Sequence, residues 1–300
     1  ALELPERSLG DTIRLALRNA AEEVEADAAA TREDWEERVD ALVERWTAEV
    51  TGAQVDALVE QIETVVDSGS PTGLADLAVP YEQGAALLAQ AMREQATAAA
   101  DRMAALAAEQ GVAIAPAVPA EPEATNARPA FWVEPPALGR PMTNISPLLK
   151  KVALGLAEDL GAQASLTAKK LTNAFTDSAS AEALRVWNPG ATAKEVSGKV
   201  REHLEGLTTK TLGSDLSAAI WAAENEGRSA TIAQAEEDGN GAHYLLADEV
   251  RDKNTCQPCK DIDNRKFDTL AEAEAEYPFG GYRKCDGRSR CRGTYVPYWS

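Results

Sequence analysis

Trp35, Val39, Leu42, Val43, Trp46 and Val50 recur mostly at steps of three and four residues, which lines one face of an α-helix. Val55, Leu58, Val59, Ile62, Val65 and Val66 repeat the pattern beyond Thr51-Gly52. Asp67-Ser-Gly-Ser-Pro71 then supplies stop signals, because Gly and Pro end helices for steric and hydrogen-bonding reasons. A further alanine-rich helix is predicted over about 81–110, with Leu87, Leu88, Met92, Met103 and Leu106 as its larger apolar residues. So much alanine at helical spacing fits a thin bundle or an extended hairpin.

Between Ala115 and Pro141 the periodicity stops, and seven of the fifteen prolines fall there. Proline fixes φ and lacks an N–H, so 113–144 reads as an extended Pro/Ala-rich connector. Phe131 and Trp132 within it are too apolar for a bare spacer and read as a foot that docks on a neighbouring surface. Helical pattern resumes near 146. Leu148, Leu149, Val152, Leu156 and Leu160 form a stripe that Leu166, Leu171 and Phe175 continue, until Asn188-Pro-Gly190 breaks it. Thr192 and Glu195 form a capping box for a helix carrying Val196, Val200 and Leu204. Another helix is expected over about 214–237, ended by Gly239-Asn-Gly241. The period then changes to that of strands, at His243–Val250, Arg265–Phe267 and Gly293–Val296. The fold class is thus mainly α with a small α+β C-terminal module. Four parts follow: an elongated acidic helical region (1–112), the connector (113–144), a helical stem (145–240) and a small β-rich four-cysteine module (241–300).

Charge sharpens this division. Residues 1–112 hold 23 Asp and Glu against 8 Arg and no Lys, so −15 of the formal −19 sits there. Residues 251–300 are slightly basic, with 10 Lys and Arg against 8 acids. The acidic balance excludes a protein that coats DNA with its whole surface. No apolar run approaches the ~18 residues of a membrane helix. The first residues lack the basic-then-apolar layout of a signal peptide, which predicts a reducing compartment.

The cysteines carry the strongest chemical signal. Cys256-Gln-Pro-Cys259 is a C-x2-C pair following a strand, and Cys285 and Cys291 return after 25 intervening residues. A C-x2-C turn aims two sulfurs at one point, and two such pairs make a closed tetrahedral zinc site, zinc-ribbon-like and structural. Two disulfides or four free thiols are the rival readings. The tail is poor in large apolar residues, so a bound ion would supply stability that its core does not. Arg283, Lys284, Arg288, Arg290 and Arg292 flank the ligands, where they either contact DNA phosphates or an acidic partner, or compensate thiolate charge.

The run Asp252-x-x-x-Cys256-x-x-Cys259-x-x-x-Asp263-Asn264-x-x-Phe267, with Cys291-Arg292 downstream, resembles the C-terminal domain of phage Mu F-like head morphogenesis proteins. The preceding Ala223-Glu224-Asn-Glu-Gly-Arg228 resembles that family's helix before the strand. The likeness covers about 190–297. Three positions depart from the pattern: Asn264 stands where Gly is usual, the His before the third cysteine is missing, and Gly293 replaces the last cysteine of C-R-C. Cys285 is placed to take the missing ligand position. The resemblance implies a minor capsid protein of a tailed bacteriophage, inside the head near the portal, with portal protein, major capsid protein and packaged DNA as partners.

Two other classes compete. One is a zinc-stabilised DNA- or protein-binding adaptor unrelated to phage; the other is a capsid-associated protease or effector. His203-Leu-Glu205 with the C-x2-C pair mimics a zinc deaminase signature, but Thr255 stands where that signature has Pro. The only histidines, His203 and His243, sit in no Ser-His context visible in the sequence. No phosphate-binding glycine loop is present. The expectation is a non-enzyme.

Overall fold

A computed structural model describes residues 35–117, 160–278, 281–287 and 291–299, with the backbone alone at 208–211. The connector with Phe131 and Trp132, the stripe from Leu148 to Leu156, and Arg288 and Arg290 lie outside the described residues. The chain is mainly helical, with one small antiparallel sheet near the C-terminus.

Helix α1 covers 35–46. It runs without a break through a π-helical turn, Thr47–Thr51, into α2, Gly52–Asp67. The two apolar stripes therefore sit on one long rod, and Gly52 does not interrupt it. The extra residue of a π turn rotates the downstream face. The α1 stripe accordingly enters one core with Leu88, Met92 and Trp221, while the α2 stripe enters another with Val196, Val200 and Leu204. The predicted stop is real: α2 ends at Asp67, Gly69 adopts φ +74°, and Pro71–Ala75 forms a 3-10 turn.

Helix α3, Glu82–Glu109, is the alanine-rich one. Helix α4, Leu160–Val186, follows, and its stripe departs from the expected register: Leu171 is buried but Leu166 is 61% exposed. Alanines 164, 168, 179 and 183 form the buried face instead, so close helix approach decides which side turns inward. Helix α5, Ala193–Glu237, is a single 45-residue helix, about 68 Å long, where two were expected. Thr192 and Glu195 form the predicted capping box in both directions. Gly206 and Gly213 each cost about 1 kcal/mol in a helix. Burial of Leu204, Leu212 and Leu216 around them outweighs that cost.

The acidic region and the stem share their cores. Ala96 and Gly227 mark the closest crossing of α3 and α5, where a Cβ on residue 227 would collide with the Ala96 carbonyl. One turn away, Glu224 is fully buried and accepts from Arg228 Nε at 2.7 Å, from Gln95 Nε2 at 2.8 Å and from Arg102. A carboxylate so placed is tolerable only because donors from both helices surround it.

The tail forms strands β1, Tyr244–Asp248, β2, Lys266–Phe267, and β3, Thr294–Tyr298, in the order β2-β1-β3. Leu245 pairs with Phe267 on one side and Pro297 on the other. Short helices α6, Gln257–Ile262, and α7, Leu270–Glu276, cover it. The tail does have a core of its own: Phe267, Tyr277 and Tyr295 pack edge to face, joined by Ile232 of α5. Aromatics supply what aliphatic residues do not. The far end of β3 is anchored to α3, because Val296 and Trp299 pack on Met103 and Leu106 and the Trp299 N–H donates to Gln110 Oε1 at 2.6 Å.

Three substitutions in α5 test this packing. Gly227→Ala should lower stability by about 1–3 kcal/mol through overpacking. Gly206→Ala, with nothing within 4 Å of its Cβ, should raise it by up to about 1 kcal/mol; thermal denaturation followed by circular dichroism reads both. Glu224→Leu should cost about 3–5 kcal/mol, since it strips buried Arg228 of the carboxylate that neutralises it. An equal Tm for wild type and variant would contradict the assignment.

Candidate metal centre

The chain leaves β1 into a loop stiffened by its own polar groups. Asp252 Oδ1 accepts from Asn254 N at 2.8 Å, and Thr255 Oγ1 accepts from Asp252 N at 2.9 Å. This loop ends at Cys256, which occupies the N-cap of α6, so Cys259 lies one turn inside the helix. The C-x2-C pair therefore rides on a helix N-terminus and not in a β-knuckle. A helix N-terminus favours thiolates through its exposed N–H groups and dipole. Cys285 follows a turn in which its N–H donates to the Tyr282 carbonyl at 2.9 Å, and Cys291 enters β3.

These four cysteines, distant in sequence, come together. Cys256 Sγ is 3.7 Å from Cys285 Sγ, and Cys259 Sγ is 3.8 Å from Cys291 Sγ. Both distances far exceed a disulfide bond of ~2.05 Å, and all four residues are free cysteines. The ligand atoms of Cys256, Cys259 and Cys285 lie within 4.8 Å of one another, and so do those of Glu249, Cys259 and Cys291. Backbone amides point at the sulfurs: Tyr282 N–H donates to Cys291 and Gly287 N–H to Cys285, both at 3.3 Å. Amide donors of this kind stabilise the thiolate, the form that binds metal.

The thiols are unequal. Burial pushes Cys259 far up, reinforced by the charges of Cys291 and Glu249. Burial, with Glu249 next, pushes Cys291 up to about 12. At Cys256 burial acts in the same direction, but the amides of Cys259 and Asp286 outweigh it and hold the thiol below its ordinary value. Burial also raises Glu249 to about 7, against the lowering effect of its bonds to Cys259 and Tyr277. A pocket of buried acids pushed toward neutrality is what a divalent cation reverses, since a coordinating thiol is deprotonated outright. The donor set suits a soft, tetrahedral ion.

Two of the flanking basic residues, Arg283 and Arg292, are engaged within the chain. Arg283 Nε and Nη2 donate to Glu276 at 2.8 and 2.9 Å, and Arg292 Nη2 donates to Asp252 at 2.6 Å. Lys284 is exposed. Two of the sequence departures have physical causes. Asn264 is the positive-φ non-Gly residue among those described, at φ 63°, and Asn tolerates this left-handed turn better than other side-chain-bearing residues. Gly293 leaves the space that the Glu249 carboxylate fills, and a Cβ there would collide with it.

Sequence reasoning missed two constellations. Glu249 stands beyond the end of a strand, with no motif to flag it. Ser178 Oγ lies 2.9 Å from His203 Nε2, joining α4 to α5 across 25 residues of sequence. Both residues sit in helix interiors, where backbone N–H groups are committed to the helix and form no oxyanion hole. His203 is half-buried in this contact.

Compared with protein-family models, with curated proteins and with solved structures, the chain matches none. Among the described residues no helix is long and apolar enough to cross a membrane.

The Asp252–Arg292 pair ties the ligand loop to β3 and predicts a pH dependence. The hydrogen bond from Arg292 holds the Asp252 carboxyl below the usual range. Its contribution is therefore present above about pH 4, the unfolded value, and is lost as pH falls through the depressed one. Asp252→Asn should cost up to about 1 kcal/mol at pH 7 and progressively less as pH falls below about 4, as read by urea unfolding across that range.

Proposed function

We propose that this is a structural, non-enzymatic protein whose C-terminal module is closed by one zinc ion on Cys256, Cys259, Cys285 and Cys291. Its role is that of a minor capsid protein of a tailed bacteriophage, inside the head, docking at the portal or inner capsid and assisting head assembly or DNA delivery. One observation carries the metal: the sulfur separations of 3.7 and 3.8 Å. Zn–S bonds of ~2.3 Å in a tetrahedron put sulfurs about 3.8 Å apart. Bound there, zinc would join the start of α6, the Tyr282–Gly287 turn and the start of β3.

The phage assignment rests on the motif resemblance, which the placement of Asn264 in a left-handed turn supports, since that position asks for glycine-like freedom. A non-enzymatic role is favoured because four thiolates leave an ion no open position. Partner choice favours protein over DNA: Arg283 and Arg292 are held by Glu276 and Asp252, and the helical bundle is acidic. Such a surface suits a basic patch on portal or capsid and is repelled by packaged DNA.

Two measurements test this. Reduced, purified protein should carry close to one zinc per chain, and Cys259→Ser should lose most of it. Occupancy below a tenth in the wild type would remove the metal. The chain should also copurify with DNA-filled phage heads at a few copies each. Recovery only as a free host protein, away from any particle, would favour the adaptor reading.

A further inference from the structure

The cysteines are not the only donors at this centre. Glu249 leaves the end of β1 with its side chain buried, 4% exposed, and its carboxylate grouped with the sulfurs of Cys259 and Cys291 inside 4.8 Å. Its surroundings suit a ligand better than a stray acid. Residue 293 is glycine where a side chain would strike both carboxylate oxygens, so the backbone just before β3 leaves room for this group. The Tyr277 hydroxyl donates to Glu249 Oε1 at 3.0 Å, and the Glu249 N–H donates to Asp263 Oδ1 at 3.0 Å. Ligating carboxylates are commonly oriented by such outer hydrogen bonds. The groups facing it are a phenol, two thiols and the nearby acids Asp248 and Asp263. A divalent cation placed among them would hold the carboxyl and the thiols in their charged forms.

From this geometry we infer that Glu249 is itself a ligand of the ion, taking one of the four positions that the reading above gives to cysteine, so that the centre is a mixed sulfur–oxygen site with the carboxylate bound beside Cys259 and Cys291. This rests on the zinc reading above. Zinc also accepts carboxylate oxygen in protein sites, at ~2.0–2.2 Å. The position that looks in the sequence like a lost fourth-cysteine ligand, Gly293, then serves to admit an oxygen donor from a different strand.

X-ray absorption at the zinc edge of the reduced, zinc-loaded full chain decides the matter. The expected spectrum contains a sulfur shell near ~2.3 Å and an oxygen shell at ~2.0–2.2 Å. The oxygen shell should vanish in Glu249→Ala and in Gly293→Ala, and chelator competition should show zinc held at least about tenfold more weakly in both. A wild-type spectrum of four sulfurs without oxygen overturns the assignment while leaving the zinc site intact. Absence of bound zinc overturns both. Should either variant fail to fold, the wild-type spectrum alone still gives the answer.

Discussion

The buried carboxylate of Glu224, gripped by Arg228 of its own helix and by Gln95 and Arg102 of α3, sets the register between α3 and α5. Beside it, Gly227 lies against the Ala96 carbonyl so closely that no side chain fits. Small residues permit the approach and a charged network specifies its depth. A slip of one turn would carry Glu224 away from the Gln95 and Arg102 donors of α3, leaving it only Arg228 of its own helix. α4 and α1 then pack around this pair.

The same stretch of α5 carries the site. Trp221 Nε1 donates to the Gly293 carbonyl at 3.1 Å, and Asn225 accepts from the Thr294 hydroxyl. The start of β3, next to Cys291, is thus held by residues one turn from the Glu224 network. Ligand geometry and helix packing share a single stretch of backbone. Any ion in the centre therefore works on a module already docked, with an aromatic core around Tyr277 and Tyr295.

Local signals in the sequence were reliable where chemistry is local. The Thr192–Glu195 capping box, the stop after Asp67 and the strand near 244 need only neighbouring residues, and each is present. The cysteine spacing likewise foretold that the four sulfurs would meet. What escaped depends on contacts across the fold. Thr51-Gly52 separates two stripes in the sequence, and the last helix of the stem reads as starting only near 214, yet buried leucines and valines carry both helices through. Leu166 belongs by spacing to a core stripe, but the alanine face of α4 packs closer and turns it outward. Glu249 carries no signature, because its partners Tyr277 and Gly293 are 28 and 44 residues away. Arg283 and Arg292 read as free charges until their acidic partners are brought beside them.

The strand order has a further outcome for the protein's behaviour in concentrated solution. Exposed sheet edges invite strands from other molecules, and proteins usually blunt them. Here β1 is central, β2 offers only two residues, and β3 is fastened to Trp221 and Asn225 at one end and to Gln110 at the other. Little free strand edge is thus left to zip onto the sheet of another molecule.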